Sequence, residues 1–257
     1  MGTDRKLGSI FTDIRGRLAI IEFGHPAGNS FVSEMLTRLT AAFDALAVND
    51  DVAVVVLKSE GTRAFCAGAS IDELKGINTP AEATSFFNGF ANVINAMRRC
   101  GKPVVGRVQG KAVGGGVGLI AACDYVFATV EADVRLSELS IGIAPLVIAP
   151  AVIRKTGKGA FASMSLSPAE WHNAYWAQKC GLFTKVYDKL NELDKDLDFF
   201  ANALSGYSVE ALKAIKDSLW EDTGHWETLL PERAKRTAQL ALSAEAKAAM
   251  EAFRTKK

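Results

Sequence analysis

The chain of 257 residues has four cysteines, three histidines and almost no net charge. Cys66, Cys100, Cys123 and Cys180 stand far apart with no C-x-x-C pair, which fits reduced thiols in a core better than a disulfide framework or a zinc site. His25, His172 and His225 share no constellation and read as ordinary turn or surface residues. Thirty Lys+Arg against 29 Asp+Glu leave a formal charge of +1, so no net field points to nucleic acid, an anionic membrane or an acidic partner. No apolar run reaches the roughly 18 residues of a membrane span, and the start MGTDRKLGSI carries charges without an apolar segment behind them. These absences predict a soluble, unprocessed, cytoplasmic protein. A G-x-S-x-G elbow, a Walker loop, a G-x-G-x-x-G after a strand and an H-E-x-x-H are all missing, so the usual hydrolase, nucleotide and metal signatures fail and no metal is expected.

What is present is a core. Hydrophobic residues make up 49% and charged residues 23%, the balance of an ordinary globular chain. Short, β-branched runs at Leu18 to Phe23, Val52 to Leu57, Val104 to Val108 and Tyr125 to Ala128 predict buried strands. Between them, Val32, Met35, Leu36, Leu39, Phe43 and Leu46 keep helical spacing, and so do Phe86, Phe90, Val93, Ile94 and Met97. Thr79-Pro80-Ala81-Glu82 predicts a capping box with proline at the first helical position, and Ser167-Pro168-Ala169-Glu170 predicts another. Strands alternating with helices imply an α/β core. After about Pro150 no strand run remains and helices follow one another, ending in the stripe Ala246, Ala249, Met250 and Phe253, whose docking partner periodicity leaves open.

Two glycine-rich segments carry the chemistry. Ala64-Phe65-Cys66-Ala67-Gly68-Ala69-Ser70-Ile71-Asp72-Glu73-Leu74 follows a strand, and its small residues let a ligand approach the backbone. Lys102 to Asp124 reads as a strand, a turn, then a helix opening at Gly114-Gly115-Gly116, whose first N–H groups are free and carry the positive end of the helix dipole. Either alone is explained by a tight turn and close packing. Together they offer two backbone donors to one developing negative oxygen.

The ordered pair AFCAGASIDEL and KPVVGRVQGKAVGGGVGLIAACD resembles the crotonase superfamily, the enoyl-CoA hydratases and isomerases. The likeness spans nearly the whole chain, from Gly24-His25-Pro26-Ala27-Gly28-Asn29-Ser30, similar to the family's CoA-contacting turn, to Glu245–Lys257, similar to its terminal helix. It implies a crotonase-like spiral of β-β-α units over residues 1–200 and a C-terminal helical trimerisation region over 201–257. It also implies a homotrimer or homohexamer, an acyl-CoA thioester as partner, and no cofactor beyond the coenzyme A of the substrate. The family's oxyanion hole falls on the N–H groups of Ala69 and Gly115, and its substrate-binding positions on Ala27, Ala67, Ala69, Ser70, Ile71 and Gly115.

Well-known hydratases of that superfamily carry two glutamates. This chain has Gly118 at the first position and Glu138 at the second, with Gly142 and Pro145 in step. Ser70 stands where the family most often has Asp. A single carboxylate between the ends of an enolate moves a proton from one carbon to another, so isomerisation of an enoyl-CoA is expected ahead of hydration of an enoyl- or 3-methylglutaconyl-CoA. Hydration would need hydroxyls such as Ser70 or Ser137 to place a water; lyase or decarboxylase chemistry trails, and a noncatalytic acyl-CoA-binding scaffold is the alternative outside enzymes. Burial against Leu136, Leu139 and Ile141 predicts a raised Glu138 pKa. Phe86, Phe87, Phe90 and Leu146-Val147-Ile148 are the expected acyl lining, and Arg254, Lys256 and Lys257 are basic residues that could meet CoA phosphates.

Overall fold

The computed structural model describes residues 5–254. A hairpin opens it, β1 (Ser9–Arg15) antiparallel to β2 (Leu18–Gly24), and α1 (Ser33–Ala47) leads to β3 (Val54–Ser59). Helices α2 (Ile71–Gly76) and α3 (Pro80–Arg99) precede β4 (Val104–Val108), then come β5 (Ala112–Val113), α4 (Gly115–Ala122), β6 (Tyr125–Thr129) and β7 (Val134–Arg135). A 3-10 turn at Glu138–Ile141, α5 (Ala149–Leu166), α6 (Ala174–Lys179) and β8 (Lys185–Tyr187) follow. Helices α7 (Leu190–Ser205), α8 (Val209–Leu219), α9 (Trp226–Ala241) and α10 (Ala244–Arg254) close the order.

The main sheet runs β1-β2-β3-β4-β6-β8, parallel after its first pair. Its strands alternate in burial partner, as a period of two requires. Ala19, Ile21, Val55 and Leu57 face the large core under α1 and α3, while Leu18, Val54, Val56, Val105 and Phe127 face Leu193, Leu197, Ala201 and Leu212 of α7 and α8. A second layer stands beside this sheet. There β5 pairs in parallel with β7, and single bridges join Phe31 to Ala69 and Cys66 to Ala112. Each long strand is thus followed by a short extended piece in the second layer and then a helix: β3 with Cys66 to Ala69 and α2, β4 with β5 and α4, β6 with β7 and α5. This is the expected α/β spiral, with helices at its C-terminal end.

Several elements differ from the sequence expectation. The hairpin strand β1 has no apolar run because five of its seven residues are exposed. Strand β8, only three half-buried residues, adds to β6 by hydrogen bonds that leave no hydropathy signal. Ser167 does not open a helix. It ends α5, and Glu170 N–H closes a turn on its carbonyl at 3.0 Å, because the Trp171-His172 stretch that follows is drawn into the second layer, where His172 bridges Val134. The Thr79 to Glu82 capping box forms with both reciprocal hydrogen bonds. Helix α7 runs through residue 200.

Helix α8 is tied to the sheet by a buried acid. Asp124 accepts Lys216 Nζ and Val104 N–H on one oxygen and Trp220 Nε1 on the other, each at 2.7 Å. The Lys216 and Asp124 side chains are 1% and 5% exposed. At the end of the described chain, α10 docks on its own body, against α2, α9 and the Glu138 turn, with Ala246 and Met250 buried.

Candidate active site

The site begins as backbone. Val113 N–H donates to the Cys66 carbonyl at 2.9 Å and Cys66 N–H to that of Lys111 at 3.3 Å, which clamps the two glycine-rich segments side by side in parallel. Ala69 and Gly115 each lie three residues beyond the Cys66–Ala112 bridge. Gly68 has φ +91°, and a Cβ there would sit 3.1 Å from the Val113 carbonyl oxygen, so the chain can turn this tightly only at glycine. On the other segment Gly114 (φ +52°) precedes α4 and Gly115 is its first residue. A Cβ on Gly115 would lie 2.3 Å from Phe90 Cε1, and one on Gly116 2.7 Å from Cys66 Cβ, so close packing also demands this triplet. The neighbours of Ala69 use their polar groups on Phe31, but the N–H groups of Ala69 and Gly115 donate to no partner among the described residues. Both residues line one cavity of about 570 Å³, open mouth included.

Glu138 is the sole titratable side chain on that cavity's wall among the described residues. Its carboxylate lies against the glycines, Oε1 being 2.8 Å from where a Cβ of Gly114 would stand, while Oε2 is buried with no hydrogen-bond partner. Burial pushes its pKa up to about 7, opposed by a hydrogen bond from its own backbone N–H. Of the apolar neighbours expected, Ile141 lines the cavity with Glu138, Leu136 is buried in the core, and Leu139 is 51% exposed because it sits on the outer side of the 3-10 turn. That turn ends at Gly142 in the left-handed conformation (φ 71°), where a Cβ would lie 2.7 Å from Ala246 Cα of α10.

Position 118 is sealed. A Cβ on Gly118 would stand 2.3 Å from Ile148 Cγ2, so Ile148 fills the space that a second acidic side chain would need. Phe87, Phe90 and Leu146-Val147-Ile148 line the cavity as expected. Phe86 does not. It is buried in the core, edge-on to Phe87 and Phe90.

Of the sequence-predicted residues, Ala67, Ala69, Ile71, Gly115 and Glu138 come together on this cavity. Ala27 and Ser70 line an outer cleft that shares Ala67, Ala69, Ile71 and Ser137 with it. Ser70 spends its hydroxyl as the N-cap of α2, accepting Glu73 N–H at 3.3 Å, and is absent from the Glu138 cavity; Ser137 is on it. His25 shapes its turn, its Nδ1 accepting Ala27 N–H at 3.1 Å. Lys256 and Lys257 lie outside the described residues. Two residues of the site are not foreseen from the sequence. Thr237 of α9 reaches the cavity wall through tertiary packing alone, and Arg135 stands at the outer cleft, where a basic residue in a two-residue strand gives no signal.

The chain is similar to known proteins in family and in fold. The family model described as Enoyl-CoA hydratase/isomerase matches residues 13–257. A probable enoyl-CoA hydratase of Rhizobium meliloti is 27% identical over 214 residues, covering 82% of this chain and 80% of its own. A peroxisomal Delta(3,5)-Delta(2,4)-dienoyl-CoA isomerase of Arabidopsis thaliana is 25% identical over 203 residues, covering 73% of this chain and 71% of its own. The crystal structure of an enoyl-CoA hydratase from Bacillus halodurans superposes with a TM-score of 0.88 at 21% identity, covering 95% of this chain and 99% of that one, a likeness of fold.

Proposed function

The chain belongs to the enoyl-CoA hydratase/isomerase family and is an acyl-CoA enzyme of that family, and we propose that it shifts the double bond of an enoyl-CoA with Glu138 as its one proton carrier. The thioester oxygen accepts the N–H groups of Ala69 and Gly115. Glu138 takes a proton from the α-carbon of a 3-enoyl thioester, the electron pair of that C–H bond delocalises onto the thioester oxygen, and the same carboxyl returns the proton at the γ-carbon. Preorganised amide donors of this kind are each worth on the order of a hundred- to thousandfold in rate. A carboxyl titrating at about 7 is matched to proton exchange near neutral pH.

The observation that carries this reading is the orphaned, buried Glu138 Oε2 beside two unspent backbone donors in a mainly apolar cavity. Ile148 at the Gly118 position favours a one-acid reaction over a two-acid hydration. Hydration of an enoyl- or 3-methylglutaconyl-CoA is the second reading, favoured by the Ser137 and Thr237 hydroxyl-bearing residues on the same wall. A noncatalytic scaffold fits less well, since the cavity is open and Glu138 faces it. Incubation with 2-enoyl-, 3-enoyl- and 3-methylglutaconyl-CoA in heavy-oxygen water separates them by product mass. Rearrangement without oxygen uptake is expected; uptake replaces isomerisation by hydration, and inert thioesters return the scaffold.

We further propose that the reaction uses no cofactor beyond the substrate's coenzyme A, that Ala27, Ala67, Ser70 and Ile71 border the thioester, and that the protein works in the cytoplasm as a homotrimer or dimer of trimers. Light scattering on the purified chain tests the assembly. Among the described residues no helix is long and apolar enough to cross a membrane.

A further inference from the structure

Among the described residues, Arg135 has no counter-ion. It is the second residue of β7, paired in register with Val113, and its carbonyl accepts Gly114 N–H at 3.0 Å, one residue before the proposed oxyanion donor Gly115. Val134 and Leu136 on either side are buried in the core, so the alternation of an extended chain turns Arg135 the other way, into the outer cleft. The guanidinium lies 4.3 Å above the Trp171 ring. Its Nε is buried with no hydrogen-bond partner, and among the described residues no carboxylate forms an ion pair with it. Arg107 grips Asp194 at 2.6 Å and Lys216 grips Asp124 at 2.7 Å; Arg154, stacked on Trp220, also has an unpartnered buried Nε, but its Nη1 donates to the Leu219 carbonyl at 2.7 Å and it lines no cleft of the Glu138 site. A half-buried guanidinium whose Nε is cut off from water and unpaired is unfavourable, and its planar fork fits a phosphate or carboxylate in bidentate fashion. Stacking on Trp171 holds that fork in place at low entropic cost. The cleft it faces continues from the Glu138 cavity through Ala67, Ala69, Ile71 and Ser137, and Lys75 adds a second cation to its wall, with Asp72 the acid there.

We propose that Arg135 is an anion-recognition residue of the outer cleft, taking one oxyanion group of the thioester substrate, either a phosphate of its coenzyme or an acid group on its acyl chain. This rests on the acyl-CoA reading of the Glu138 cavity. Calorimetric binding of butyryl-CoA, butyryl-pantetheine and glutaryl-CoA to the full chain and to its Arg135→Gln variant tests it. Arg135→Gln should weaken an anionic ligand ten- to a hundredfold and leave butyryl-pantetheine unchanged. Equal weakening of both CoA thioesters assigns the anion to the coenzyme phosphates; weakening of glutaryl-CoA alone assigns it to the acyl chain. The conservative Arg135→Lys keeps a charge but loses the fork, and it should weaken the same ligand three- to tenfold with thermal unfolding unchanged, which keeps the assignment testable where the glutamine variant folds poorly. Unchanged affinities in both variants, or equal loss for butyryl-pantetheine, overturn the assignment while leaving the acyl-CoA reading intact. Failure of the wild-type chain to bind any CoA thioester overturns that reading and this inference with it.

Discussion

Two carboxylates among the described residues, Asp124 and Glu138, are withdrawn from water, and their surroundings are opposite. Asp124 has both oxygens occupied, by Lys216, the Val104 amide and the Trp220 indole, and it joins the C-terminal helices to the sheet. Glu138 has an oxygen with no partner and a pKa pushed up to about 7 by burial. A satisfied buried acid serves the fold; an unsatisfied one in a cavity is held against the fold's interest and points to chemistry. Removing each should therefore move different observables.

The largest difference is expected in rate. Glu138→Gln should lower kcat on an enoyl-CoA by about a hundred- to ten-thousandfold with acyl-CoA affinity nearly retained. Wild-type turnover from this variant in a stopped assay would remove Glu138 as the proton carrier. In the wild-type enzyme, kcat/KM should rise with pH through about 7, since the base must be ionised.

Next in size is stability. Asp124→Ala leaves Lys216 buried and unpaired, and should cost about 3–5 kcal/mol in denaturant unfolding. A midpoint unmoved by this change would mean the pair is not what docks α8.

Glu138→Gln should do the reverse. The native carboxyl titrates at about 7 when folded against an ordinary 4.5, so between these values the folded state keeps a proton that the unfolded state has released. Stability then falls as pH rises through that window and stays lowered above it. The glutamine variant escapes this and should be more stable than wild type at pH 8 by up to roughly 3 kcal/mol, with the gap closing below pH 4.5. Parallel unfolding curves at the two pH values would contradict the burial of a lone carboxyl.

The smallest effect concerns the cavity wall. Gly118→Ala places a methyl 2.3 Å from Ile148 Cγ2, an overpacking that should cost about 1–3 kcal/mol. Pairing it with Ile148→Ala should recover much of the loss, and strict additivity of the two would show that they do not meet.

The legibility of the two regions in the sequence differs for physical reasons. Buried strands and amphipathic helices announce themselves because core burial imposes a period, and the central strands and the α3 cap are legible in this way. Strands β1 and β8 are not, since one is mostly exposed and the other owes its pairing to β6. At the site, the backbone donors are legible because only glycine tolerates the turns at Gly68 and Gly114. The role of Ser70 as an α2 cap, the outward turn of Leu139, the obstruction by Ile148 and the approach of Thr237 all depend on tertiary neighbours, which one-dimensional spacing does not encode.

The contact between Gly142 and Ala246 orders events in time as well as space. The bend that carries Glu138, the proposed proton carrier, is pressed into shape by a helix translated long after it, so the sheet can be complete while the proposed site is still unassembled. A nick or fusion that lifts α10 away would silence the enzyme well before it melted the protein.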